Sequence, residues 1–210
     1  MKIKTPTRPP FPVSAVILAG GRASRMGGDD KGWVPLAGKP LIAHVLERLC
    51  PQVDEVLINA NRSEERYRVL APVIADRRAD FQGPLAGMEA GLGAARHDWV
   101  LFVPCDGPAL PRDLVARFRA AIGPDTELVV AHDGERLQPV VALLHRALLP
   151  SLQLALASGE RKTGAWFARH QMAVVPFADQ PDAFINLNSP LELADYEARL
   201  PPTTAHQTAP

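Results

Sequence analysis

The sequence predicts a three-layer α/β/α domain on a mostly parallel sheet with one antiparallel excursion, and three observations predict it. Short apolar, β-branched runs alternate with segments of helical period, the pattern of successive βαβ units. Several of the runs are apolar at consecutive positions, as in strands covered on both faces. The stretch from Ala131 to Gln138 joins two apolar runs through His-Asp-Gly-Glu-Arg, so a hairpin interrupts the parallel order.

The expected strands follow in order: Val13–Leu18, Glu55–Ile58, Val73–Ala75, Trp99–Val103, Leu128–Ala131, Val140–Leu144 and Ala173–Val175. Helical faces lie between them. Leu41, Ile42, Val45, Leu46 and Leu49 share one face, with Glu47 and Arg48 outside it. Leu114, Val115, Phe118, Ala121 and Ile122 share a second. Leu148, Leu149, Leu152, Leu156 and Ala157 form a third, in which Pro150 interrupts the pattern. Gly-Pro-Leu-Ala-Gly at 83–87 opens a further helix, and Trp166 and Phe167 lie on a short helical stretch. A last helix carries Leu191, Leu193, Ala194 and Leu200, with Ser189 as its N-cap and Pro190 in its first turn. Residues 1–12 hold four prolines within seven positions and read as an extended leader; 201–210 read as a disordered tail. The domain is therefore placed at 13–200.

Composition excludes several classes. Of 210 residues, 47% are hydrophobic and 22% charged, which fits a globular chain and not a disordered or fibrous one. Lys plus Arg and Asp plus Glu are 23 each, so no global basic field draws the chain to nucleic acid or an anionic membrane. No apolar run approaches a membrane span, and the cationic start lacks the apolar stretch of a signal peptide. Cys50 and Cys105 have no metal-ligand spacing, which reads as reduced thiols in the cytoplasm.

In open α/β sheets ligands bind beyond the carboxyl ends of strands, so chemistry is sought where the apolar runs end. After Leu18 comes Ala-Gly-Gly-Arg-Ala-Ser-Arg-Met-Gly-Gly-Asp-Asp-Lys-Gly. Glycines 20, 21, 27, 28 and 32 open the backbone to an anion, and Arg22, Arg25 and Lys31 add three cations. A multiply charged phosphate chain is the natural guest. The run is neither GxxxxGK[ST] nor GxGxxG, and Gly91-Leu-Gly93 sits inside a helical small-residue stretch. A plain flexible loop is the bland alternative; ordering five glycines without a guest would be costly.

This run, followed by Gly38-Lys-Pro-Leu, resembles the LAGG-x-S-x-R-MG-x-DK signature of the MobA-like nucleotidyltransferases, and more narrowly of the molybdenum cofactor guanylyltransferases. The broader pattern is shared with sugar nucleotidyltransferases and cytidylyltransferases. The resemblance spans roughly Val13 to Glu197. It implies a Rossmann-like nucleotidyltransferase fold and transfer of GMP from GTP to molybdopterin, or its molybdenum-loaded form, with Mg²⁺ as cofactor. It further implies contacts with proteins of molybdopterin synthesis and molybdoenzyme maturation.

Three more strand ends carry candidates. Asn59-Ala-Asn61-Arg62 offers amides that read a base edge or cap the next helix, with equal standing on composition; NANR is similar to the family pattern, which gives the nucleotide contact to Asn59. Asp76, followed by Asp80, is either a solvent-exposed carboxylate or an acceptor for the N1–H and amino group of guanine, and the family's nucleotide-contacting Asp matches Asp76. Trp99–Val103 delivers Pro104-Cys105-Asp106. A carboxylate there needs a cation or metal, and Pro-Cys-Asp resembles the family's Mg²⁺-binding motif, although Gly107 stands where relatives often carry a bulkier residue. An N-cap role for Asp106 is the bland reading.

For the acceptor, Gly83 and Gly87 open a helix whose free N–H groups suit the pterin's phosphate, or else serve tight helix–sheet packing together with Gly91. Lys162, where related sequences have Arg, ends a cationic segment. Asn186 and Asn188 lie in Ile-Asn-Leu-Asn-Ser-Pro, which resembles the VNVNTP motif, and their two-residue spacing turns both amides the same way.

The resemblance thus assigns Leu18, Ala19, Asn59 and Asp76 to the base. Gly20, Gly21, Arg25 and Lys31 go to the triphosphate, Arg25 and Lys31 acting with Asp106 in catalysis. Asp106 takes the metal, and Gly83, Gly87, Lys162, Asn186 and Asn188 take the pterin. The scattered histidines read as structural, and Ser24 has no positioned base. Two rival readings are a cytidylyltransferase of the same fold and a non-catalytic nucleotide- or cofactor-binding partner.

Overall fold

The computed structural model describes residues 11–20, 30–78 and 83–200. The strands are β1 (Val13–Leu18), β2 (Pro35–Leu36), β3 (Lys39–Pro40), β4 (Glu55–Asn59), β5 (Val73–Ile74), β6 (Trp99–Pro104), β7 (Leu128–His132), β8 (Leu137–His145) and β9 (Met172–Pro176). The helices are α1 (Leu41–Leu49), α2 (Glu64–Arg68), α3 (Pro84–Ala94), α4 (Leu114–Ala120), α5 (Leu149–Ala157), α6 (Thr163–Phe167) and α7 (Pro190–Arg199). Seven strands form one sheet in the order β5-β4-β1-β6-β8-β7-β9, and β2 and β3 pair as a separate antiparallel ribbon.

In the large sheet β8 alone runs against the others among the described residues. It is antiparallel to β6 and β7, whereas β9 is parallel to β7. The expected hairpin is therefore present and tight. The Asp133 carboxylate accepts from the N–H groups of Glu135 and Arg136, and Gly134 takes a left-handed φ of 111°. This early turn starts β8 at Leu137, three residues before the apolar run suggested.

Alternation along the buried strands sorts the core into two faces. Val13, Ala15 and Ile17 pack with α1 (Ile42, Val45, Leu49) and α4 (Leu114, Val115, Phe118). Val16 packs with α3 (Leu85, Met88, Leu92), α5 (Leu152, Leu156) and α6 (Trp166, Phe167). Two helical layers on either side of a sheet give the three-layer sandwich the periodicity implied. Pro150 does not interrupt α5. The helix begins at Leu149, and the proline occupies its first turn, where no N–H is needed. Ser189 caps α7 as expected, accepting from the Glu192 N–H at 3.2 Å.

Phe11, placed in the leader by its prolines, belongs to the body: its ring lies 6.0 Å from Trp99 and its carbonyl accepts from Arg119 at 2.8 Å. The rest of the expected leader to position 10 and the expected tail 201–210 lie outside the described residues, as do Gly21, Arg22, Ser24, Arg25, Gly27, Gly28 and Asp80.

Candidate functional site

Register brings the strand ends to one rim. Leu18 pairs with Asn59 on one side and Pro104 on the other, and Asn59 pairs with Ile74. The chain proceeds outward from β1 through β4 to β5, then crosses back to place β6 on the other flank of β1. The crevice at β1 is therefore a topological switch point, where open α/β sheets bind ligands. Backbone bonds continue past the strands: the Ala19 N–H donates to the Asn59 carbonyl at 2.8 Å and the Cys105 N–H to the Leu18 carbonyl at 3.2 Å.

A cavity of about 350 Å³ opens there. Its wall includes Leu18, Ala19, Gly20, Lys31, Asn59, Asp76, Gly83, Gly87, Asp106 and Asn186, together with Asp30, Pro84, Pro104, Cys105 and Val140. Most of the sequence candidates thus meet in one place. Asn188 stands behind the wall and Lys162 outside it. Gly21 and Arg25 fall outside the described residues.

One end of the cavity is electrostatic. Asp106 is 8% exposed, and Lys31 Nζ donates to its Oδ2 at 3.2 Å and to Asn188 Oδ1 at 2.5 Å. The charge that burial required is thus met by a lysine 75 residues away. Asp106 is not an N-cap; Asp113 fills that place for α4. The segment 186–188 is pinned over β6: the Leu187 N–H donates to the Asp106 carbonyl at 3.1 Å and Asn188 Nδ2 to the Asn186 carbonyl at 3.1 Å. Asn186 Oδ1 is buried and has no hydrogen-bond partner among the described residues. An unpaired buried acceptor in a cavity wall costs free energy until a donor arrives.

The other end holds amides and a carboxylate. Asn59 is 2% exposed and its Nδ2 donates to Asp76 Oδ1 at 2.9 Å, so it neither caps a helix nor faces solvent. Gly87 brings α3 against this pair. A Cβ there would lie 2.5 Å from Asn59 Oδ1 and 2.7 Å from Leu18 Cδ2. Gly91 likewise admits Phe102 and Val16, so packing explains both glycines. The turn before α6 adjoins the start of α3, with the Arg161 carbonyl oxygen 3.9 Å from the place of a Gly83 Cβ.

Asp30 was legible only as part of the loop. Its carboxylate accepts from the Tyr67 hydroxyl and from the Gly32 N–H, the latter at 3.3 Å. Tyr67 is wholly buried, and Gly32 makes room for its ring. Burial chiefly, and then Cys105 and Asp30, push the Tyr67 phenol upward, so it stays a neutral donor. Burial chiefly, and then Asp106 and Asp30, push the Cys105 thiol well up; it lines the cavity uncharged. Tyr67 and Val140 carried no sequence signal, because each is an ordinary apolar position of its own element.

Among the described residues no group of three or more His, Cys, Asp or Glu side chains could hold a metal. Mg²⁺ does not need one, since it takes one or two carboxylates and completes its shell with water and phosphate oxygens. The Asp106 carboxylate, open to the cavity beside Lys31, fits that donor set.

The chain matches the model of the MobA-like NTP transferase domain over residues 15–174. It is 50% identical over 196 residues to a Vibrio cholerae protein named molybdenum cofactor guanylyltransferase, covering 93% of this chain and 97% of that one. A protein of the same name from Shewanella sp. (strain MR-4) is 56% identical over 180 residues, 85% of this chain and 91% of the other. Among solved structures, the molybdopterin-guanine dinucleotide biosynthesis protein A of Archaeoglobus fulgidus superposes with a TM-score of 0.72 at 22% identity, covering 88% of this chain and 97% of that one. A 4-diphosphocytidyl-2C-methyl-D-erythritol synthase from Anaerococcus prevotii reaches 0.71 at 13% identity, covering 90% and 95%, so fold likeness extends to cytidylyl enzymes. Sequence identity over nearly the whole length, on a sheet whose rim gathers the matching motifs, makes this chain a member of the MobA-like NTP transferase family.

Proposed function

We propose that the protein transfers GMP from GTP to the terminal phosphate of molybdopterin, or of its molybdenum-loaded form, releasing pyrophosphate. The observation that carries this reading is the polarity of one cavity: Lys31 and Asp106 at one end, Asn59 and Asp76 at the other. The first pair suits a metal-bound triphosphate and the second the donor edge of guanine.

An oxygen of the acceptor phosphate attacks the α-phosphorus of GTP. The bond from that phosphorus to the bridging oxygen breaks on the opposite side, and pyrophosphate leaves. The protein's part is position and charge. Lys31 offsets negative charge on the phosphates, helped by Arg25 and the amides of Gly20 and Gly21. Asp106 would hold Mg²⁺, which when bound supplies further neutralisation of the phosphoryl oxygens. Leu18 and Ala19 bound the base. The eleven-residue helix α3 turns its N-terminal, positive dipole end at Gly83 toward the acceptor's phosphate. Lys162 adds charge beside it, Asn188 orients Lys31, and the unpartnered Asn186 Oδ1 supplies an acceptor for a heterocycle N–H. We take 13–200 as one nucleotidyltransferase domain. The two free cysteines fit a reducing cytoplasm.

Turnover of GTP, CTP and ATP with molybdopterin and Mg²⁺, followed by dinucleotide and pyrophosphate formation, tests the reading. GTP should be used best, and Asp106→Ala should lose about 100-fold or more in kcat with an unchanged circular dichroism spectrum. Preferred use of CTP, or a fully active Asp106→Ala, would overturn it.

A further inference from the structure

Asn61 lies on the loop after β4 and does not reach the cavity wall, yet it holds a residue that does. Its Nδ2 donates to Asp76 Oδ2 at 2.8 Å, and the Asp76 N–H donates back to Asn61 Oδ1 at 2.8 Å. This reciprocal pair fixes both the backbone and the carboxylate of Asp76. The other oxygen, Oδ1, takes Asn59 Nδ2. Asn61 Nδ2 also lies 3.0 Å from where a Cβ on Gly20 would be, so one amide spans the loop after β1 and the loop after β5.

Asp76 needs such a brace. β5 is two residues long and ends at Ile74, whose carbonyl accepts the last ladder bond from the Ala60 N–H at 3.0 Å. Beyond it no strand pairing orients the carboxylate. A carboxyl group free to rotate would have to be ordered each time a base arrived, at an entropic cost.

We propose that Asn61 is the positioning residue for base selection, fixing the plane in which Asp76 accepts from two adjacent N–H donors. The proposal rests on the guanylyl-transfer reading above. With Asn59 and Asn61 each taking one lone pair of the carboxylate, one acceptor site per oxygen is left for the ligand. Guanine offers N1–H and its 2-amino group side by side. Cytosine and adenine set a ring-nitrogen acceptor beside their amine, which would meet a carboxylate oxygen lone pair to lone pair. Discrimination of that kind depends on the carboxylate being held still; a mobile one would follow the wrong base.

The test is steady-state kinetics with GTP and inosine triphosphate, which lacks the 2-amino group, on wild type, Asn61→Ala, Asp76→Asn and the double variant. Wild type should prefer GTP by about tenfold or more in kcat/KM. Asn61→Ala should cut that preference about fivefold or more, mainly through KM for GTP, with kcat changed less than about threefold. In the Asp76→Asn background, Asn61→Ala should leave the ratio where it is, since both act through one carboxylate. A GTP preference unchanged in Asn61→Ala, with both KM values raised alike, overturns the proposal, as does an independent effect in the double variant. Should Asn61→Ala not fold, Asn61→Asp keeps the shape and sets an oxygen against Asp76 Oδ2, and the same ratio decides. Wild type that fails to use GTP sinks the guanylyl reading and this proposal with it. Wild type that uses GTP while the variants keep its preference sinks the role of Asn61 alone.

Discussion

Gly87 couples packing to the site through the atom it lacks. Helix α3 lies close enough to the ends of β1 and β4 that Asn59 Oδ1 and Leu18 Cδ2 occupy the space of a side chain. Gly87→Ala must push one of them aside, and both line the cavity. We expect a loss of roughly 1–3 kcal/mol in urea denaturation and a several-fold rise in KM for GTP. Unchanged values of both would mean that α3 can withdraw without cost. Spacing of glycines at 83, 87 and 91 made tight packing legible in the sequence. Which atoms fill the gap was not, because Asn59 and Leu18 arrive from other strands. Lys31 shows the same limit: its place in the loop after β1 was legible, its partners Asp106 and Asn188 were not.

At the scale of elements, α7 does its work from the surface. None of its residues is buried, and Leu191 is largely exposed. What it holds is the segment before it. Ser189 Oγ accepts from the Glu192 N–H, and the Glu192 carboxylate accepts from the Asn188 N–H at 2.7 Å, a reciprocal cap that fixes Asn188 beside Lys31. The Asn188 N–H holds the Glu192 carboxyl below its usual range. Ser189→Ala should weaken this cap by about 1 kcal/mol. Amides at 188–193 should then exchange several-fold faster, with β1 and β6 unaffected; uniform protection would refute a local role. The cap itself was readable from Ser-Pro-Leu-Glu. The seven strands of the large sheet were readable too, though not the short β2–β3 ribbon, and β8 starts ahead of its apolar run because its hairpin turn is anchored by the side chain of Asp133, which periodicity does not count.

For the molecule as a whole, stability against pH follows from groups that stitch the layers together. Burial raises the pKa of Glu55, but hydrogen bonds from the Ser14 hydroxyl and the Arg96 N–H outweigh it and bring the group below its usual range. Asp113 behaves alike, with Arg117 and Gln180 overcoming burial. A carboxyl whose folded pKa is depressed contributes fully above its unfolded pKa, and the contribution is lost as pH falls through the folded value. Cys105, raised by burial, acts at the other limb: its contribution is complete below the unfolded thiol pKa and lost as pH rises beyond it. Denaturant midpoints should therefore stay level between about pH 5 and pH 8 and fall on both sides. A midpoint that rises below about pH 4 would contradict the acid limb.

By itself the sequence determined the strands of the large sheet and the helices with an apolar face, where the sheet's apolar runs end, and that glycines, cations and carboxylates collect at those ends. These are local properties, set by side-chain periodicity and turn chemistry within a few residues. The two-residue strands β2 and β3 and the five-residue helix α2 are too short to show a period. Tertiary structure decided who meets whom. Strand order placed β4 and β6 on either side of β1, and register aligned Leu18 with Asn59 and Pro104. Only then do Lys31, Asp106 and Asn188 share a charge, and Asn59, Asn61 and Asp76 a carboxylate. The reason is physical: hydrogen bonds and ion pairs act over a few ångströms, while the chain separates these partners by up to 157 residues. No local pattern encodes that distance being closed.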